Sequence, residues 1–465
     1  MNKELLYLIF QSWYKKKGNV NSLEAILEWI DNKNRCTHVS IQKKAFDSDD
    51  SWTYQPYKKG IVHKTNGFFS IKGLIKKENG QKVMEQPIII QDEIGYLGMI
   101  CKEMDGVLNF LIQAKIEPGN INKVQISPTL QATKSNFMQV HGGRKPLYLD
   151  YFVNKSKYEV LVDQIQSEHA SYFLGKRNRN IIILVDEEIE VSPNHMWATL
   201  GQIKELMKIN NLVNMDTRTV ISCIPIKLDL LNAMEKKEIR SLCTNTSIFN
   251  SMLYEDNNVV MNSILQYIND YKMIDSSVRE IVDLNELDTW RFKKEKMEFV
   301  RLPRGPFKVI YCNIEIEGRE VLTWTQPLIE TSDINILGLI RCDDNGVMKF
   351  LVRAVAEIGC FDKMEIGPSV NINLLEKNVD DVEWLFLRKY NNKDNIVFDS
   401  LFSEEGGRFL NGQNHNVIIE IKKDELKPPI TEGYFWIDFH GLNKLVQINH
   451  CLNIQLRNLM SLIEL

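Results

Sequence analysis

From Ser22 onward, apolar residues recur at Leu23, Ile26, Leu27 and Ile30, which predicts a helix over 22–31 with Ser22 as its N-cap. The pattern then switches to strand-rich stretches at 69–77 and 83–90, joined by Glu78-Asn79-Gly80-Gln81. Asn-Gly accepts the left-handed backbone that a tight hairpin demands. A second hairpin is predicted from 97–101 and 107–116, turning at Met104-Asp105-Gly106. A further strand over 181–185 is followed by an amphipathic helix, predicted to begin near Pro193 and to run through Trp197, Leu200, Ile203, Leu206 and Met207. Strands followed by helices in this order predict an α+β domain with a mixed or antiparallel sheet.

The same pattern occurs a second time. Residues 86–128 align without a gap on 326–368, and 17 of the 43 pairs are identical. Average composition would give roughly one in fifteen. FLIQAKIEPGNINKVQISP at 110–128 stands over FLVRAVAEIGCFDKMEIGP at 350–368. With small shifts of register the match extends to Trp52 over Trp290, Ser167-Glu168 over Ser403-Glu404, and Asn214 and Arg218 over Asn453 and Arg457. A solenoid repeats every 20–50 residues or so, far less than this period. The expectation is therefore two tandem homologous domains, 1–250 and 251–465.

Composition narrows the class. Of 465 residues, 44% are hydrophobic and 25% charged, as in soluble globular proteins with more than one domain. The net charge of −4 gives no basic field for nucleic acid. The apolar run at 5–10 is too short for a secretory leader, and no stretch approaches a membrane span, so a cytoplasmic protein is expected. The eight cysteines show no C-x-x-C spacing and do not recur between repeats, which predicts reduced, buried thiols. Neither a G-x-G-x-x-G nor a P-loop pattern is present.

Chemistry is sought where the repeats differ. The first follows its core with Thr129, Gln131, Thr133, Ser135 and Asn136, then Val140-His141-Gly142-Gly143-Arg144; the second loses this pattern. Lys115 becomes Val355, Asn120 becomes Cys360 and Gln125 becomes Glu365, while Glu117 persists as Glu357. Lys115 and Glu117 alternate along a predicted strand, so both can face one pocket with Gln113. His141 titrates near neutrality and suits proton transfer. Glu117 could equally be structural, and His141 could simply cap a turn. Trp52 and Trp290 suit a core better than a stacking platform. Asn210, Asn214 and Arg218 would share one face of a continuous helix, either gripping a pyrophosphate or tying the helix to the sheet.

FLIQAKIEPGNINKVQISPTLQATKSN, then HGGRKPLYLDYF, then W-x-T-L-x-Q-I-x-x-L at 197–206, closely resembles the NDP-hexose 2,3-dehydratases of deoxysugar biosynthesis. The resemblance spans nearly the whole chain. It implies two Nudix-like repeats, each a mixed sheet flanked by helices, with the active pocket in the first and a degenerate one in the second. Neither repeat carries the acidic box of metal-dependent Nudix hydrolases. The implied substrate is an NDP-4-keto-6-deoxyglucose, most often the dTDP form. Removing its C3 proton and C2 hydroxyl leaves a 3,4-diketo-2,6-dideoxy sugar. No hydride moves, so no cofactor or metal is implied for this step. A homodimer and a downstream NADPH-dependent 3-ketoreductase are the implied partners. Catalysis would fall to Lys115, Glu117 and His141. Substrate binding would fall to Trp52, Gln113, Asn120, Gln125, Thr129, Gln131, Thr133, Ser135, Asn136, Arg144, Tyr148, Tyr151, Asn214 and Arg218. A non-catalytic nucleotide-sugar binding protein and a divergent nucleotide-sugar hydrolase are the alternatives.

Overall fold

The computed structural model describes residues 2–44, 51–134, 138, 145–253, 258–293, 298–317, 321–373, 379–427 and 429–465. Each repeat builds a seven-stranded sheet with the same strand order. In the first, the order is Glu159–Ser167, Arg177–Leu184, Gly95–Met104, Val107–Ile116 and His195–Thr199, with Val124–Ser127 and Leu130–Ala132 paired onto the central two. The second repeats it with Ile396–Ser403, Gln413–Ile421, Asn335–Asp344, Val347–Val355 and Tyr434–Asp438. One pairing in each sheet is parallel, Arg177–Leu184 with Gly95–Met104 and Gln413–Ile421 with Asn335–Asp344. The mixed-sheet α+β class is as expected.

The local signals hold where the chemistry is strongest. Ser22 caps the helix Leu23–Cys36, its side chain accepting the Ala25 N–H at 3.1 Å. Both hairpin turns of the first repeat have two residues at positive φ, Asn79-Gly80 (49° and 78°) and Asp105-Gly106 (51° and 74°). Two expectations are corrected. Residues 195–199 form a strand against Val107–Ile116, and the helix starts only at Leu200. Thr199 and Gln202 form a reciprocal capping box that fixes this start. The following helix is separate, Met215–Ser222, with Asn211 at φ 58° between the two and Asn214 as N-cap. Asn210, Asn214 and Arg218 therefore do not form one helical stripe.

The repeats are interleaved. Trp52–Gln55, Gly60–His63, Ser70–Glu78 and Gln81–Ile90 form a second sheet, whose fifth strand, Val278–Val282, comes from the second repeat. Val39–Lys43 is returned in exchange, pairing with Phe307–Ile316. The cores are shared accordingly. Trp52, Phe69 and Phe173 pack in one apolar cluster with Trp290, Phe307 and Phe409, and a larger cluster joins Phe110 and Ile203 to Phe350 and Leu445. The helix Thr246–Leu253, which spans position 250/251, matches Lys3–Tyr14. Ser251 donates its hydroxyl to Met348 O and accepts the Phe439 N–H, as Ser12 does with Leu108 and Leu200.

Six cysteines are buried, Cys243 is half-buried, and Cys36 is exposed, contrary to the expectation of uniformly buried thiols. Among the described residues no helix is long and apolar enough to cross a membrane.

Candidate active site

Each repeat sends a loop into the other. In the first, Gln86 donates its amide to Ser171 O at 2.6 Å; in the second, Gln326 donates to Gly407 O at 2.8 Å. The two loops then cross. Gly119 N–H donates to Gly406 O at 2.7 Å, and Gly359 N–H donates to Ala170 O at 2.8 Å. A β-carbon at Gly119 would stand 1.5 Å from Phe409 O, and one at Gly359 would stand 2.0 Å from Phe173 O. Glycine persists at both places because only a bare backbone fits there.

Glu117 lies just beyond the strand Val107–Ile116, beside this crossing, and is 7% exposed. Lys115 Nζ is 3.4 Å from Glu117 Oε1. Gln131 donates to the same oxygen at 3.1 Å, and Asn214 donates to Gln131 Oε1 at 3.3 Å. Four residues nominated from sequence thus meet in one chain of an ion pair and two hydrogen bonds. Gln113 sits further along the same strand and accepts the Ser127 hydroxyl at 3.1 Å.

Other nominated residues hold the scaffold. Thr129 donates to Leu111 O and accepts the Ile100 N–H at 2.9 Å; Ser369 repeats both bonds in the second half. Gln125 donates to Ser403 Oγ at 2.8 Å, and Arg218 donates to Ser403 O at 3.1 Å while stacking on Phe402. Both tie the first repeat to the second. Asn120 donates to Lys123 O, and the Tyr148 hydroxyl is occupied by Glu190 O and the Ser192 N–H. Tyr151 stacks between Tyr148 and Tyr158. Trp52 is 3% exposed, its ring 4.6 Å from Phe69. Thr133 lies directly after Leu130–Ala132, and its Cα is 3.4 Å from where a β-carbon on Gly95 would stand. Ser135, Asn136, His141 and Arg144 lie outside the described residues.

Both repeats contribute groups that the sequence reading missed. A β-carbon on Gly407 would lie 3.2 Å from Glu405 Oε1 and 3.5 Å from Glu117 Oε1, so both carboxyl groups border the same spot. Burial raises the Glu405 carboxyl to about 7; Glu168 and Glu117 push the same way, and Arg408 and Lys176 oppose. Asp216, 3% exposed at the start of the helix Met215–Ser222, is also raised well above the ordinary range, chiefly by burial. Burial lowers Lys176, while Glu404 outweighs burial at His169 and raises it. Glu405 has no sequence signal of its own, because its counterpart in the first repeat is His169.

The counterpart pocket is built differently. Glu357 accepts the Ser171 hydroxyl at 2.5 Å and the Gln455 amide at 3.2 Å, with Val355 where Lys115 stands. Among the described residues no cluster of three His, Cys, Asp or Glu side chains could hold a metal ion.

A lysine-paired carboxylate beside a second carboxyl group of raised pKa is an arrangement suited to proton transfer. The model of the family NDP-hexose 2,3-dehydratase matches residues 23–224 and again 261–463, and this chain belongs to that family. It is 35% identical over 447 residues to a dTDP-4-dehydro-6-deoxy-alpha-D-glucopyranose 2,3-dehydratase of Saccharopolyspora spinosa, covering 93% of this chain and 89% of that one. It is 31% identical over 452 residues to a protein of the same name from Amycolatopsis orientalis, covering 95% and 90% respectively.

Proposed function

We propose that this enzyme removes the C2 hydroxyl of an NDP-4-keto-6-deoxyglucose, the dTDP form above all, at a pocket built mainly by the first repeat. The observation that carries this reading is the chain Lys115–Glu117–Gln131–Asn214, whose lysine has no counterpart in the second repeat. The C3 hydrogen is acidic because the C4 ketone can delocalise the negative charge left behind. Glu117 takes that proton. Lys115 and His141 serve the oxygen that gains charge, where fixed donors contribute most to the rate. The C2 hydroxyl then leaves with a proton as water, and the enol relaxes to the 3,4-diketo-2,6-dideoxy sugar.

Family membership and the mixed-sheet repeats support a Nudix-like fold used for lyase chemistry. The enzyme works in the cytoplasm as a homodimer, and an NADPH-dependent 3-ketoreductase consumes its labile product. The test is incubation of the purified protein with dTDP-4-keto-6-deoxyglucose, such a reductase and NADPH. A 2-deoxy sugar nucleotide is expected. Unchanged substrate would indicate a binding protein, and a released nucleoside monophosphate would indicate a hydrolase.

A further inference from the structure

The departing hydroxyl needs a proton, and Lys115, the first-repeat cation beside Glu117, is already paired with that carboxylate. In the gluco configuration the C3 hydrogen and the C2 hydroxyl lie on the same face of the ring. Acid and base must therefore reach the sugar from one side. Glu117 and Glu405 do border one spot, the position that a β-carbon on Gly407 would take.

Resting on the dehydratase reading, we propose that Glu405, delivered by the second repeat, is the general acid that protonates the C2 hydroxyl while Glu117 works at C3. Several observations agree. The charges of Glu117, Glu168, Asp216, Lys176 and Arg408 all act on Glu405, which is half-buried. Its backbone carbonyl accepts the Arg408 and Phe409 N–H groups, and among the described residues its carboxyl makes no side-chain hydrogen bond. Its raised pKa keeps a large protonated fraction near neutrality. In the other pocket the corresponding residue is His169, engaged with Glu404 at 3.7 Å, and Ser171 replaces Gly407 with a hydroxyl bonded to Glu357.

The protons balance. Glu117 gains one from C3, and the electron pair of that bond forms the enolate. Collapse of the enolate breaks the C2–O bond as Glu405 gives up its proton, releasing water. The resulting enol then returns its hydroxyl proton to Glu405, and Glu117 delivers its proton to C2. The crossed loops therefore make one pocket from two repeats.

The proposal separates C3 deprotonation from loss of the hydroxyl, and the experiment does the same. Wild type, Glu405→Gln, Glu405→Asp and Glu117→Gln are incubated with dTDP-4-keto-6-deoxyglucose in D2O. Dehydration is read by coupled reductase, deuterium at C3 by mass spectrometry, and folding by the thermal midpoint. Glu405→Gln is expected to dehydrate about 10²-fold more slowly while still exchanging the C3 hydrogen. Glu405→Asp should recover part of the dehydration, and Glu117→Gln should lose both reactions. Dehydration by Glu405→Gln within threefold of wild type would overturn the proposal. So would equal loss of exchange and dehydration with Glu405→Asp no better. Wild type showing neither exchange nor dehydration would overturn the dehydratase reading itself, and this proposal with it.

Discussion

Gly119 of the first repeat gives its backbone N–H to the carbonyl of Gly406 in the second, at 2.7 Å, and the chain has no room for a side chain there. This contact fixes where Glu117 meets Glu405. Gly119→Ala must push the loop carrying Phe409 O away, since its β-carbon would start 1.5 Å from that oxygen. Overpacking of this kind costs about 1–3 kcal/mol. We expect the thermal midpoint to fall by about 1–3 °C and dehydration to fall with it. Gly359→Ala should lower the midpoint comparably with a smaller effect on rate. An unchanged midpoint in Gly119→Ala would contradict the crossing geometry.

Gln131 is the bridge between Asn214 and Glu117. Gln131→Leu removes one donor from the carboxylate and frees it to swing toward Lys115. A misplaced base is costly, so kcat should fall about tenfold or more with the thermal midpoint nearly unchanged. Steady-state kinetics giving a rate within twofold of wild type would contradict a positioning role for Gln131.

The His169–Glu404 pair makes stability depend on pH. His169 is raised above its ordinary 6.5, so its contribution is complete below that value and is lost as pH rises through the folded-state value. Glu404 is lowered below its ordinary 4.5, because His169, Arg218 and Asn414 outweigh burial; its contribution is present above 4.5 and lost as pH falls. The stabilisation from the pair is therefore greatest between 4.5 and 6.5. In thermal melts His169→Asn should be most destabilised near pH 5.5 (about midway in that window), and the gap to wild type should narrow in alkaline buffer. A gap independent of pH would contradict a charged pair.

Much of this molecule was legible in its sequence, for identifiable reasons. Asn-Gly and Asp-Gly turns, the Ser22 cap and the duplication are local signals, and each is set by backbone chemistry that few residues satisfy. Lys115 and Gln131 were legible from differences between the repeats and Glu117 from its alternation with Lys115, whereas Asn214, which recurs as Asn453, was nominated from a helical stripe that does not form. The strand His195–Thr199 was not, since Trp197, Leu200, Ile203 and Leu206 carry apolar spacing that suits a helix until the Thr199–Gln202 capping box is noticed. Exchange of Val39–Lys43 for Val278–Val282 has no sequence signature at all: a strand edge looks alike whichever repeat it joins. Glu405 escaped for the same reason. Its role depends on a loop crossing between repeats, and comparison of each repeat with its own counterpart cannot reveal that.

The central claim is that chemistry belongs to the first-repeat pocket, and matched substitutions at the two recurring glutamates test it most directly. Turnover of dTDP-4-keto-6-deoxyglucose is measured for Lys115→Ala, Glu117→Gln, His141→Asn and Glu357→Gln, with a thermal midpoint for each. The first three should each lower kcat by about 10²-fold or more, the usual scale for losing a positioned acid or base. Glu357→Gln should leave the rate nearly untouched, because Val355 replaces the lysine and Ser171 already occupies that carboxylate. Equal losses in Glu117→Gln and Glu357→Gln, with both proteins folded, would contradict an active pocket in the first repeat.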